Sequence, residues 1–536
     1  MDNKIAPAPA PLEVFIEPTI SVQEGTVELA ELKERFNVWS TIGMAYALIA
    51  TPLGIGSYLV FTLGVGGSPY FIYGYIFVAI MQLAVCSSLA EISAVFPHAS
   101  GEDAMLDLQV DLLTQWLPGQ IFWVAALAPP RLSRGLSYCN GAFTLLAWTF
   151  ATTGCFVFTG QMFVAFATIL NEQYQIQTYQ VFLLAIASAL LSLVFNIWLF
   201  NWIPAIAKFF VVFINAGTVY LFVALLVRAQ PKATASAVFT EVVNETGWAS
   251  KGLVFCLNVL PGSASVTVFD AAAHMAEELP HPEKQVPQVM IFTSLLCALG
   301  GFIMIIVYLF CTTNPAALLE PIGGQPIFQL FLDAFRSKPL LVIAALIFCA
   351  VFVFANISFV TTLSRVLWSF AKHHGTPFSE FLGHVHPNSQ IPVNAVCVCT
   401  LVTGLICLLD FGPALILNAC FGASSICGAV SYGMPIWCLI FKGRGDFPEK
   451  RHYSMGKFGL LVNLVAVLWQ IFQVIFLTFP LYYPVTSSNM NYASAVMGVG
   501  AIVFAINWVL HSRRCYEQPK PLFVAALHGN LTRKDA

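Results

Sequence analysis

The sequence predicts an all-α polytopic membrane protein of about twelve spanning helices, with the first and sixth broken near their middles. Three observations lead there. The 536 residues are 58% hydrophobic and only 10% charged, with a mean hydropathy of +0.78, whereas a soluble domain carries about 25% charged residues. Apolar runs of roughly 18 or more residues recur along the chain, each long enough to cross a bilayer. Two of these runs are interrupted by Pro, Gly and polar residues, at Thr51–Ser57 and at Leu260–Glu278. A continuous membrane helix does not tolerate such interruptions, but a helix opened around a buried polar site does.

The chain divides into a polar N-terminal tail (residues 1–36), a twelve-helix domain (37–511) and a polar C-terminal tail (512–536). The apolar runs lie near 38–63, 69–89, 136–168, 179–199, 204–227, 252–277, 289–311, 340–369, 393–410, 413–440, 459–480 and 492–511. With both termini inside and the helices alternating, Arg228, Lys232, Lys251, Arg336 and Lys338 fall outside. The other 19 of the 24 Lys and Arg fall inside. This is the asymmetry of the positive-inside rule, and one missed span would have blurred it. The same topology puts the sequon Asn244-Glu245-Thr246 outside, where glycosylation occurs. The outer loop 312–338 holds a short amphipathic stretch, PIFQLFLDAF, placed to cap an outer vestibule.

Composition also excludes several classes. A net charge of −3 leaves no nucleic-acid footprint. The 14 Cys lie almost all within apolar runs, where they read as small core residues and not as a disulfide framework. No Cys/His spacing suggests a metal, and no cofactor is expected. The polar start gives no cleavable signal peptide, so the first span acts as the insertion signal. No HExxH, GxSxG or nucleotide-binding loop argues for an enzyme or a primary pump.

The breaks fall in helices one and six, which are corresponding positions of two five-helix halves. That is the sequence pointer to an inverted-repeat transporter. A half-helix N-terminus presents amides to a carboxylate, and a half-helix C-terminus presents carbonyls to an ammonium group. Gly54, Ile55, Gly56 and Ser57 are the candidate carboxylate receptor, and Thr51 is a further candidate substrate-binding residue of this break. Carbonyls around Val259 and Leu260, with Asp270, are the candidate amine receptor, and Ser263, Ser265 and Phe269 are further candidate substrate-binding residues. Beyond this break, Asp270, His274, Glu277 and Glu278 follow at i, i+4, i+7 and i+8 and share one helix face. Intramembrane ionisable groups default to function. Asp270 suits amine recognition or proton coupling, while His274 and Glu277 are gating or coupling candidates. Glu278 is expected at the inner interface, paired with a basic loop such as Arg131 or Arg134. Glu91, ending the second run, reads as a gate or interface carboxylate, and Lys208 as a snorkelling interface lysine. For a quaternary ammonium, Phe269, Trp148 and Tyr432 are candidate cage aromatics.

Specific segments carry a family resemblance. They are Gly54–Ser57, Ser88–Glu91 with Phe96-Pro97, Trp123–Pro130 (WVAALAPP), Asp270–Glu278 (DAAAHMAEE) with Val286-Pro287, and His386-Pro387 with Ile391–Asn394. Over residues 38–510 the chain resembles the amino acid–polyamine–organocation superfamily, and within it the fungal amino acid/choline transporter (GABA/choline permease-like) branch. The resemblance implies a 5+5 inverted repeat of the LeuT-like kind with two trailing helices. It also implies alternating access and uptake of a small nitrogenous solute across the plasma membrane, usually with H+ as coupling ion. In one place the sequence departs from the family, which runs Pro-x-x-x-Gly-Gln-x-x-Trp-Val without interruption. Removing Glu102–Gly119 restores that pattern. Both a retained small intron and a genuine acidic insertion fit. The functional alternatives are a permease for a specialised-metabolite amine and a non-transporting nutrient receptor.

Overall fold

The computed structural model describes residues 37–96, 119–171, 173–387, 389–411, 416–445, 447–448, 451–487 and 489–518. The N-terminal tail, residues 519–536 of the C-terminal tail and all of the 102–119 segment except Gly119 therefore lie outside the described residues, as does the side chain of Glu277.

Among the described residues, eleven helices are long and apolar enough to cross a membrane: helices 1 (Val38–Tyr58), 2 (Gly67–Val95), 3 (Pro130–Leu170), 4 (Thr178–Ile197), 5 (Phe200–Arg228), 7 (Pro282–Phe310), 8 (Lys338–Lys372), 9 (Val393–Phe411), 10 (Ala419–Lys442), 11 (Gly456–Phe476) and 12 (Ala493–Cys515). The twelfth expected span, helix 6, is present in pieces too short to qualify. They are Lys251–Leu257, Leu260–Ser265, Ala271–His274 and the 3₁₀ turn Ala276–Glu278. The break that makes helix 6 interesting is what removes it from the count.

The packing follows the expected repeat. Helix 2 packs on helix 7 and helix 3 on helix 8, each pair joining equivalent members of the two halves. Helix 4 packs on 3 as helix 9 packs on 8. Helix 3 is the central post, with 72% of its apolar window buried, whereas helix 12 is peripheral, with 6% buried. Helix 1 is started by a reciprocal cap: Asn37 Oδ1 accepts from the Ser40 amide at 2.9 Å, and Ser40 Oγ accepts from the Asn37 amide at 2.8 Å. Helix 10 contains Pro435, which cannot donate to the Ser431 carbonyl one turn back. That carbonyl is instead satisfied by Asn140 Nδ2 of helix 3 at 2.8 Å.

On the face bearing Asn244, Val65–Gly66 pairs antiparallel with Val243–Asn244, tying the helix 1–2 turn to the helix 5–6 loop. The PIFQLFLDAF stretch forms the helix Pro326–Phe335, with Ile327, Phe328, Phe331 and Phe335 fully buried. Its Ile327 Cδ1 and the Tyr308 ring of helix 7 close over Gly56. A Cβ added there would stand 2.6 Å from Ile327 Cδ1 and 2.8 Å from Tyr308 Cε2, so only glycine fits.

Candidate functional site

Both breaks are present, each displaced by about a turn from the sequence expectation. In helix 1 the backbone turns at Ala50, which adopts φ 44° and ψ 42°. Thr51–Gly54 then form a new α-helical turn, continued as a 3₁₀ turn over Ile55–Tyr58. The Gly54 amide donates to the Ala50 carbonyl at 2.8 Å, and the Ile55 amide is used within the same turn. These two amides close a helix and are not left open. In helix 6 the unwound stretch is Val266–Asp270, and Pro261-Gly262 lie in the helical turn before it. The Val259 carbonyl accepts from the Ser263 amide at 2.9 Å, so the open carbonyl end sits near Ser265, not at Val259 and Leu260. One rule accounts for both displacements. Proline lacks an amide hydrogen and has its φ preset, so it opens a half-helix from within the first turn. Pro52 and Pro261 are each the second residue of their segments.

The two breaks touch. Thr51 Oγ1 donates to the Ser265 carbonyl at 2.7 Å, joining residues 214 positions apart, and both side chains are fully buried. Ser263 Oγ accepts from Gln473 of helix 11 at 2.8 Å, and Ser57 Oγ donates to the Gly54 carbonyl. Leu260 lines a separate small pocket with Leu257 and Tyr482.

Beside this junction lies a cavity of about 60 Å³ between helices 1, 3, 6, 8 and 10. Its aromatic walls are Tyr58, Phe158, Phe352, Phe359 and Phe421. Its polar groups are Thr267, Ser424 and Ser425, and Gly54 also lines it. The rings pack edge to face or tilted, with Phe158 5.0 Å from Phe352 and 6.3 Å from Phe421, itself 6.3 Å from Tyr58. No Asp, Glu, Lys or Arg lines it. Val268, also in the wall, holds φ 56°. For a β-branched residue this is a strained conformation, of the kind concentrated at ligand clamps and switches.

Asp270 sits one layer from the cavity, fully buried, and is gathered by four elements. Its Oδ2 accepts from Gln120 Nε2 at 3.0 Å and from Trp148 Nε1 of helix 3 at 3.3 Å. Its Oδ1 accepts from Tyr432 Oη of helix 10 at 2.7 Å, and His274 Nε2 lies 3.0 Å from Oδ2. Trp148 is the partition: its ring centroid is 5.8 Å from that of the wall residue Phe359. Phe269 packs on Tyr432 at 5.3 Å. The expected cage trio Phe269, Trp148 and Tyr432 thus surrounds the carboxylate and does not line the cavity. Gln120 begins a short helix, Gln120–Leu127, and is positioned by Gly119 at φ 80° and ψ −149°. A Cβ on Gly119 would meet the His274 ring at 3.2 Å, and the dihedral alone demands glycine.

Two other buried carboxylates are paired with arginine. Glu91 Oε2 accepts from Arg444 Nε and Nη2 at 2.9 and 2.8 Å, and Oε1 from Arg451 Nη2 at 2.9 Å and the Met455 amide at 3.2 Å. This clamps the loop after helix 10 to the end of helix 2. Glu278 Oε1 accepts from Arg365 Nε of helix 8 at 3.0 Å, with the guanidinium 4.6 Å from the Phe200 ring centroid. The expected partners Arg131 and Arg134 are not used, and Arg134 donates to the Tyr516 carbonyl. The regular face expected over 270–278 is interrupted as well, because a 3₁₀ turn follows His274. Lys208 is exposed on helix 5. Asn244 is exposed and held in an Asx turn, its Oδ1 accepting from the Thr246 amide and hydroxyl at 3.1 and 2.6 Å.

The model of the amino acid permease family matches residues 36–502. The choline transporter of Saccharomyces cerevisiae is 27% identical over 89% of this chain and 81% of its own. A putative amino acid/polyamine transporter of Macrophomina phaseolina is 28% identical over 85% of this chain and 97% of its own. A swainsonine transporter of Arthroderma benhamiae is 25% identical over 92% and 94%. With the family model spanning nearly the whole helical domain, the chain belongs to the amino acid permeases of the amino acid–polyamine–organocation superfamily, and is a membrane transporter, not an enzyme.

Proposed function

We propose that the chain is a secondary active permease that moves an amino acid, GABA, choline or a related amine across the plasma membrane by proton symport with alternating access. The observation that carries this reading is the contact of two half-helices, through Thr51 and Ser265, beside one uncharged, aromatic-walled cavity. Such walls attract a desolvated ammonium through ring faces, and the carbonyl end of helix 6 adds oxygen ligands. The positive end of the short helix beginning at Thr51 favours a carboxylate. At about 60 Å³ the cavity is contracted, with room for a few waters. A solute enters when the half-helices part.

Asp270 is the coupling group in this reading, and it acts one layer behind the solute. As a carboxylate it accepts from Gln120, Trp148, Tyr432 and His274. Once protonated it must donate, and Tyr432 Oη, an unprotonated His274 Nε2 or the otherwise unpaired Oε1 of a turned Gln120 amide then accepts, whereas Trp148 Nε1 is able only to donate. Protonation therefore releases donors on other elements, and Trp148 passes that change to the cavity wall. The basic-residue asymmetry supports cytoplasmic termini and a glycan on Asn244.

The test is uptake of radiolabelled choline, GABA and a neutral amino acid into proteoliposomes, with and without collapse of a proton gradient. Accumulation of one of them that disappears with the gradient is expected. Accumulation indifferent to the gradient removes proton symport. Absence of uptake for all three, with uptake of a bicyclic amine such as swainsonine, selects the specialised-metabolite reading. No uptake of any amine selects a receptor.

A further inference from the structure

Helix 11 stands outside the two five-helix halves. One face is exposed through Leu460, Leu461, Leu464 and Leu468, while the buried face carries Asn463, Gln470 and Gln473. Polar side chains persist at membrane depth only with partners. Gln473 has one in Ser263. Asn463 and Gln470 have none among the described residues: all four of their side-chain N and O atoms are buried and unpaired. So are the Trp469 indole N–H and Gln82 Oε1 on helix 2. The other end of the Gln82 amide donates to Thr267 Oγ1 at 3.1 Å, and Thr267 lines the central cavity. Gln470 lies against Gly433, its Cβ 3.6 Å from where a Cβ would stand, and the preceding residue, Tyr432, donates to Asp270. At its other end helix 11 meets the Arg444 guanidinium that grips Glu91, packed against Gly459.

We infer that these groups line a hydrated seam between helices 2, 6, 10 and 11, which holds ordered water and links the Asp270 cluster to the Glu91 face without passing through the solute cavity. The chemistry selects water. Amides present donors and acceptors without charge, and the buried face of helix 11 carries no carboxylate to hold an ion. A buried water with two to four polar partners satisfies groups that are costly to leave unpaired. The titratable groups along the seam are Glu91, Arg444 and Arg451 at one end, Cys86 on helix 2, and Tyr432, Asp270 and His274 at the other. The role as a proton route rests on Asp270 being the coupling group, whereas the existence of the seam does not.

Radiolytic hydroxyl-radical footprinting of the wild-type protein in lipid nanodiscs, read by mass spectrometry, tests the seam directly. Trp469 is compared with Trp123 and Trp368, equally buried but with N–H groups bonded to the Phe96 and Gly383 carbonyls. Bound water beside Trp469 raises its modification rate by about fivefold or more over both references. Equal rates overturn the seam, whether or not the protein couples to protons. The Asn463→Leu/Gln470→Leu pair tests the route: gradient-driven accumulation falls about tenfold while solute exchange stays within about twofold. Full accumulation in that variant overturns the route. The footprint, read on the wild type, decides the seam even if the variant does not fold.

Discussion

Replacing Asp270 by Asn separates the charge of this group from its shape. Asn places its carbonyl oxygen where Oδ2 accepts from Gln120, Trp148 and His274, and its NH₂ toward Tyr432, whose hydroxyl turns to accept. Every partner keeps a bond. A hydrogen bond to a charged group contributes about 1.5–3 kcal/mol and a neutral one about 0.5–1.5, so three weakened bonds cost about 3 kcal/mol. Relief from burying a charge offsets part of that loss. Asp270→Asn should therefore reach the cell surface within about twofold of wild type, while about 3 kcal/mol of lost coupling lowers gradient-driven accumulation about 100-fold. Solute exchange, which needs no net proton movement, persists. Asp270→Leu instead strands four buried donors at about 1–3 kcal/mol each, and the protein should fail to accumulate in the membrane. Surface biotinylation together with paired accumulation and exchange assays reads both variants. Normal gradient-driven accumulation by Asp270→Asn would refute the coupling role.

Three further outcomes follow from single contacts. Gly56→Ala forces a methyl against Ile327 and the fixed Tyr308 ring, overpacking of about 1–3 kcal/mol that should hold the helix Pro326–Phe335 away and lower transport roughly 5- to 100-fold. Unchanged transport kinetics would count against tight closure there. Arg365→Met leaves Glu278 buried and unpaired at a cost of about 3–5 kcal/mol, and adding Glu278→Gln should restore much of the lost thermal stability. A double variant no more stable than the single one would count against an isolated pair. Asn244→Gln should abolish an endoglycosidase-sensitive mobility shift, and a protein never sensitive to the enzyme would contradict the outside placement of that loop.

The spanning helices were legible because each is a long apolar run, a property of local sequence. The breaks were legible as broken helices but not to the turn. Pro52 and Pro261 were read as the unwound residues, whereas the chain uses them to open the next half-helix, leaving Ala50 and Val266–Asp270 to carry the irregular backbone. Asp270 stood out because a carboxylate at membrane depth is costly. Trp148 and Tyr432 were read as cage aromatics and not as its donors, because Trp148, Gln120 and Tyr432 lie 122, 150 and 162 positions away and only packing unites them with Asp270. Gln120 was visible as half of a Gly-Gln pair before Trp123, a signal without an assigned role until Gly119 was seen against His274. Glu278 was placed at an interface, but its partner came from helix 8, since a buried carboxylate takes the nearest buried cation over a surface loop.

The central claim is that the solute occupies the cavity where the two breaks meet, and the chain carries its own reporter there. Cys155 is a free thiol in the cavity wall, and Cys139 is an exposed thiol elsewhere on helix 3. Peptide-resolved alkylation with N-ethylmaleimide, run with and without the transported amine, measures access to both. Saturating solute should slow labelling of Cys155 about tenfold or more, as about 1.4 kcal/mol of occupancy requires, and leave Cys139 unchanged. Equal labelling of Cys155 with and without solute would place the transported molecule elsewhere.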